Sequence, residues 1–336
     1  MKAPESIPKE ILMVYRVTCA AVLALVLLAP AGGAAATINL RASDVHPAGF
    51  PTVVAIEKMG RRLQEETGGR IKLQMFPGGV LGSDKSVVEQ VQVGAVQIAR
   101  ISLGEIGAIV PDVNVFNMPF VFRDEAHMRK IIDGAIGDEM LDKVSNSSAK
   151  LIALGWMDSG SRSVYAKKAI KTPADLQGIK IRSIGNSLFL NTMNAMGGQG
   201  IPMSFGDVYH ALQTGAIDAA ENNSPSLYTS GHYSFTRYYS QTRHLIIPEI
   251  FVMSKATWNK LSRQDRALVK KLSRQAQAEQ RVLWDETVAD SNAGLKAAGV
   301  VFSEVDRQAF YEATAGIRSK YGAPYKDLIA RIEAVR

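Results

Sequence analysis

The residue types that could move a proton or hold a metal are scattered along this chain. The five histidines, His46, His127, His210, His232 and His244, stand at no spacing that would bring two onto one metal ion. No G-x-S-x-G elbow, H-E-x-x-H pair, Walker loop or G-x-G-x-x-G fingerprint occurs. Ser161 and Ser163 flank Arg162, but no nearby His or Asp completes a nucleophilic triad. The single cysteine, Cys19, excludes a disulfide framework and a cysteine-based zinc site. Paired carboxylates for glycoside hydrolysis need no local motif, so that chemistry stays open. The formal charge of +7 leaves nucleic acid, a membrane surface or a small anion as partners. Basic residues occur only as short pairs such as Arg61-Arg62, Lys167-Lys168 and Lys270-Lys271, with no basic stripe interleaved with aromatics, which argues against nucleic acid.

The elements that must position any site follow an alternating pattern. With 336 residues, 46% apolar and 21% charged, the chain has ample core for two domains. Strands are expected at 37–42, 71–76, 96–101, 151–156, 164–166 and 179–182. Helices are expected at 53–66, with Val54, Ile56 and Leu63 inward, and at 83–93, 187–195 and 207–213. From Ser262 a long amphipathic helix is expected, Leu268, Leu272 and Val282 lying on its apolar side and Ser262 with Asp265 resembling a capping box. Strand alternating with helix is the pattern of a doubly wound α/β fold.

The first 36 residues read as an address. Arg16 precedes the apolar run Val17–Leu28, and Pro30 and small residues follow up to Ala36. That order makes a secretory signal peptide, and the core is too short for a membrane span. The segment holds Lys2, Lys9 and Arg16 against Glu5 and Glu10, so its removal leaves +6 and no cysteine.

One internal echo stands out. The stretch Val88–Arg100 aligns with Tyr209–Glu221, each a helix, a glycine (Gly94, Gly215), a short strand and a polar residue at its end. Open α/β sheets bind ligands at the carboxyl ends of their strands, so Arg100 and Ser102 correspond to Glu221 and Asn223 across a cleft. A helix–glycine–strand turn recurring by chance is the competing reading.

The run Lys171-Thr-Pro-Ala-Asp-Leu-Gln-Gly-Ile-Lys-Ile-Arg182, then Ile201-Pro-Met203, Asp207–Asp218 and Glu221-Asn222, resembles the signature of TRAP-transporter substrate-binding proteins. Ile71–Pro77, Leu81-Gly82, Met118-Pro-Phe120 and the long helix extend the likeness over most of the mature chain. The resemblance implies a two-lobed periplasmic binding protein. Each lobe would be a doubly wound sheet with helices on both faces, and a long helix would span the lobes. The first lobe would comprise 37–157 and 247–287, the second 158–246 and 288–336. It implies capture of an organic acid for delivery to TRAP membrane subunits, by a monomer without cofactor, metal or catalysis.

By the same resemblance Arg182 matches the family's carboxylate-binding arginine, with Arg162 and Asn222 beside it. Guanidinium offers a carboxylate two parallel charge-assisted bonds and never deprotonates. Glu221-Asn-Asn223 and Ile246-Ile-Pro-Glu249 look most like the uronate-binding branch, which takes glucuronate or galacturonate. Glu249 would then accept sugar hydroxyls and repel a second ligand acid. Arg100, His46 and Ser102 would help at the first-lobe rim, and Phe205 and Tyr209 would wall the ring. Arg100 pairing with a neighbouring acid, and core packing for the aromatics, are the alternatives.

Overall fold

The computed structural model describes residues 37–336, so the expected signal segment with Cys19 lies outside the described residues. Eleven strands form among them. They are β1 (Ile38–Ser43), β2 (Ile71–Phe76), β3 (Ile98–Ser102), β4 (Leu151–Met157), β5 (Ser161–Ala166), β6 (Lys180–Ser183), β7 (Gln199–Pro202), β8 (Ala219–Asn222), β9 (Tyr238–Ile246), β10 (Glu249–Ser254) and β11 (Val301–Ser303). Two sheets result, ordered β2-β1-β3-β10-β4 and β11-β9-β5-β8-β6-β7. Helices cover their faces, giving the two-lobed α/β architecture.

The sheets are mixed, and the exceptions have a cause. β10 runs antiparallel to β3 and β4, and β5 runs antiparallel to β8 and β9. These are the strands by which the chain changes sheet, β4 leading into β5 through Asp158–Gly160 and β9 into β10 through Ile247 and Pro248. Entering from the cleft side, each must run against the strands that point toward it. β10 escaped the sequence reading because all six of its residues are buried, which leaves no alternation to detect.

The echo is structural. Gly94 and Gly215 both cap their helices in the left-handed conformation (φ 79° and 75°) that a β-carbon disfavours. The strands that follow, β3 and β8, then run into helices Leu103–Ile109 and Ser224–Thr229. Ser102 and Asn223 occupy the two N-cap positions.

The long helix spans Arg263–Ala297, and Ser262 Oγ accepts the Asp265 amide at 3.0 Å. The Asp265 carboxylate reaches back to the Ser262 hydroxyl (2.7 Å) rather than to its backbone N–H, and also holds Arg70. Val269, Leu272 and Ala276 enter the core under the first sheet, and Leu295 enters that of the second. Val282 is not on the inner face as expected but 60% exposed. Two residues along a helix rotate a side chain by about 200°, and the inner places at Gln280 and Trp284 are taken. Val54, also expected inward, is only half-buried, whereas Ile56 and Leu63 are fully buried.

The C-terminal helix Lys326–Ala334 packs on the side of the first sheet, where the sequence reading had put it with the second. His127 Nε2 meets the Ile332 carbonyl (2.9 Å), and Arg123 donates to the Glu333 and Val335 carbonyls (3.1 and 2.5 Å). Those exposed carbonyls of a helix end need donors, and Arg123 supplies them.

Candidate functional site

Between the sheets lies a cavity at the ends of β3, β6, β8 and β10. All eight residues singled out in the sequence line it: Arg182, Arg162, Asn222, Glu249, Arg100, His46, Ser102 and Phe205. Tyr209 does not; it is 43% exposed and packs edge-on against Phe235. Three arginines stand in the wall, each at most 5% exposed. Taking a cation out of water costs several kcal/mol unless a counter-charge compensates, and the three meet that cost differently.

Arg100, on β3, is saturated. Its Nε donates to Asp44 Oδ1 (3.0 Å), Nη2 to Asp44 Oδ1 (2.5 Å), and Nη1 to Glu249 Oε2 (3.1 Å) and Asp84 Oδ2 (3.3 Å). Nη2 also meets His46 Nδ1 at 3.0 Å. Of the five N–H groups of a guanidinium, four are spent on carboxylates and the fifth faces the His46 ring. Arg100 therefore offers a ligand no fork; it pairs with neighbouring acids and fixes Asp84, Glu249 and His46 around the cavity. Burial pushes the Asp44 carboxyl up, but Arg100 and His46 together outweigh it and hold it well below the usual range. Burial raises Asp84, Arg100 opposes it only in part, and Glu249 and Asp44 add to the rise.

Arg162, on β5, is nearly saturated. Its Nε and Nη2 form a fork on the Glu221 carboxylate (2.6 and 2.8 Å). Nη2 also reaches the Glu221 carbonyl and Nη1 the Asn222 side-chain oxygen, both at 2.9 Å. One N–H remains. Burial raises Glu221, but Arg162 and His244 overcome it and bring that carboxyl down to about 2.

Arg182, on β6, differs. Its Nε donates to the Met203 carbonyl at 2.9 Å, and among the described residues no carboxylate forms an ion pair with it. Its terminal nitrogens keep all four N–H groups for the cavity. Burial lowers its basicity, with Glu221 opposing and Arg162 reinforcing, yet a guanidinium stays charged. Burial and Arg182 also drive His232 down to about 3, so that neighbour is neutral and pairs with the Tyr165 hydroxyl (2.9 Å).

Polarity is thus divided across the cavity. Asn222 Oδ1 accepts from Arg162 and from the Asn223 amide (2.9 Å each), which fixes the amide so that its NH₂ is left to donate. That NH₂ stands with Arg182 on the second lobe. Facing them, Glu249 keeps Oε1, Ser102 keeps a buried hydroxyl without a partner, and His46 keeps Nε2. His46 is held flat on Phe50 (3.9 Å, 3°), with Phe205 5.6 Å away. Val45, Ile184 and Phe205 supply apolar surface.

Asp84 and Glu105 also line the cavity and were not anticipated as site residues. Asp84 opens helix Asp84–Val93 at a strand-end loop, and that position was the available signal. No sequence pattern marked the short helix that carries Glu105. Glu105 is raised by burial and by Asp84, with Arg182 and Lys85 opposing.

A carboxyl whose folded pKa is depressed stabilises above its unfolded pKa, and that stability disappears as pH falls through the folded value. For Glu221 the window runs from an ordinary value near 4.5 down to about 2. Glu221→Gln should lower stability at pH 7 by about 3–5 kcal/mol, because Arg162 loses its buried counter-ion. It should also flatten the fall in stability between about pH 5 and pH 2. Urea unfolding across that range checks both; an unchanged slope would remove the ion pair from the account.

Residues 42–323 match the family model DctP, bacterial extracellular solute-binding protein, family 7. A TRAP periplasmic solute-binding protein of Pseudomonas putida F1, solved with bound D-glucuronate, is 57% identical with a TM-score of 0.88, covering 89% of this chain and 98% of that one. One from Xanthobacter autotrophicus, solved with bound β-D-galacturonate, is 36% identical with a TM-score of 0.86, covering 88% of this chain and 100% of that one. The Citrobacter koseri protein superposes at 0.88 with D-glucuronate bound (42% identity; 89% and 99% covered). It superposes at only 0.79 in its apo, open form (41% identity; 88% and 99% covered). The chain belongs to the DctP family of bacterial extracellular solute-binding proteins.

Proposed function

We propose that this protein captures a monocarboxylate sugar acid, a hexuronate such as D-glucuronate or D-galacturonate, between its lobes. It then hands the acid to the membrane subunits of a TRAP transporter. The observation that carries this reading is Arg182, a buried cation with an unused fork in a cavity whose other arginines already hold carboxylates. The ligand carboxylate completes that pair, with Asn222 and the remaining N–H of Arg162 beside it. Glu249, Asp84, Ser102 and His46 take the hydroxyl groups, and Phe205 lies against the ring. A second ligand carboxylate would face Glu249 and Asp84, which disfavours dicarboxylates. No bond is made or broken, so the protein acts as a carrier rather than an enzyme. It is exported to the periplasm by residues 1–36 and works as a monomer.

Closure follows from differential contact. The acid is anchored on the second lobe and its hydroxyls on the first, so only the closed arrangement satisfies both. Gly104 lies at the meeting point. A β-carbon there would sit 3.0 Å from Ile184 and 3.1 Å from Phe189, both on the other lobe. Nearby, the Asn186 side chain donates to the Gly104 carbonyl at 2.8 Å.

Two outcomes are expected. Arg182→Ala should weaken glucuronate binding by at least about 2 kcal/mol, roughly 30-fold, with melting temperature preserved. Arg182→Lys should recover little, because the charge returns without the fork. Calorimetry decides, and wild-type affinity in a folded Arg182→Ala variant would refute the anchor. Gly104→Val should cost binding about 1–3 kcal/mol by overpacking the closed interface, while the unliganded protein keeps its stability. Equal losses in both would make Gly104 a folding residue instead.

A further inference from the structure

On the opposite face of the second sheet lies a wider, more open groove. Strand alternation separates the two: Arg162 points into the solute cavity, while Ser161 and Ser163 on either side of it line the groove. Arg123, Arg243, Lys296 and Arg307 project into it from four different elements, and all are exposed. None forms an ion pair with a carboxylate among the described residues. The two acids in the wall are engaged with backbone, Asp124 capping the His127 amide (2.7 Å) and Glu125 accepting the Ser161 amide (3.0 Å).

The backbone is bent to present these cations. Arg243 has φ 41°, a region costly for a residue with a β-carbon, and sits where the β5–β9 register shifts between Arg162 and Val164. Its amide is held by Ser163 Oγ at 3.1 Å. Phe120, also left-handed at φ 59°, supports Arg307 with its ring 5.4 Å from the guanidinium. Beyond Arg123 and Arg307 the surface continues into an apolar step formed by Phe120 and Tyr311.

We propose that this groove is a docking site for an acidic segment of a protein partner, its carboxylates on Arg123, Arg243, Lys296 and Arg307 and an apolar side chain on the Phe120–Tyr311 step. The spread of its cations over four separate parts of the chain favours a chain of carboxylates over one small anion. The aromatic step beside them fits a peptide rather than an inorganic ion. The inference is independent of which solute fills the interlobe cavity.

The test uses a fluorescein-labelled peptide of Asp and Glu with one central Phe, followed by anisotropy with the mature protein. Binding is expected. The double reversal Arg243→Glu/Arg307→Glu should weaken it by about tenfold or more, since like charges then face each other. The remote reversal Arg61→Glu/Lys72→Glu should change it by no more than about twofold. Replacing the peptide Phe by Ser should also weaken it. Glucuronate calorimetry and melting temperature on each variant show that it remains folded. No binding, or equal losses from both reversals, overturns the proposal. Displacement of the peptide by inorganic phosphate at similar concentration overturns it in favour of a small-anion site.

Discussion

Burying arginine without burying a counter-ion is the constraint on which the rest of this structure turns. Three guanidinium groups are withdrawn from water around one cavity. Two are neutralised internally, Arg100 by Asp44, Asp84 and Glu249, and Arg162 by Glu221. The third, Arg182, pairs with no carboxylate among the described residues, and a ligand acid can offset the cost of burying its charge. The same logic distributes polarity: carboxylates gathered by Arg100 line the first lobe, and donors line the second. A sugar acid has one end for each.

The fold supplies this division through its two crossings. β5 and β10 each carry the chain into the other sheet, and each begins at the cavity. Glu249, first in β10, stands in register with Ser102 on one side and Met157 on the other. Ser163 of β5 faces Asn222. The residues that line the cavity are therefore largely strand termini held by neighbours on both sides. The long helix buries Leu272 with the first core and Leu295 with the second, so it ties the two sheets together. The repeated helix–glycine–strand–cap unit gives each lobe one such terminus, with Arg100 and Glu221 carrying opposite charge at equivalent places.

Much of the cavity lining was legible because its residues stand at strand ends in recognisable motifs; Arg182 is the last residue but one of Lys180–Ser183 and Asn222 closes Ala219–Asn222. What could not be read was pairing. The hydrogen bonds of Arg100 reach Asp44, Asp84 and Glu249, which are 56, 16 and 149 positions away. No local pattern distinguishes an arginine so consumed from one that is available. Glu105 was hidden for the same reason, being brought to the cavity by packing of a short helix without a strong period of its own. Val282 illustrates the limit of periodicity on a long helix, where Gln280 and Trp284, not another aliphatic residue, take the inner face.

The most direct measurement is a structure of the complex with D-glucuronate. Both carboxylate oxygens are expected on the terminal nitrogens of Arg182, with the Asn222 amide beside them and ring hydroxyls on Glu249 and Asp84. A carboxylate seated against the first-lobe cluster, with Arg182 still lacking an anionic partner, would contradict it.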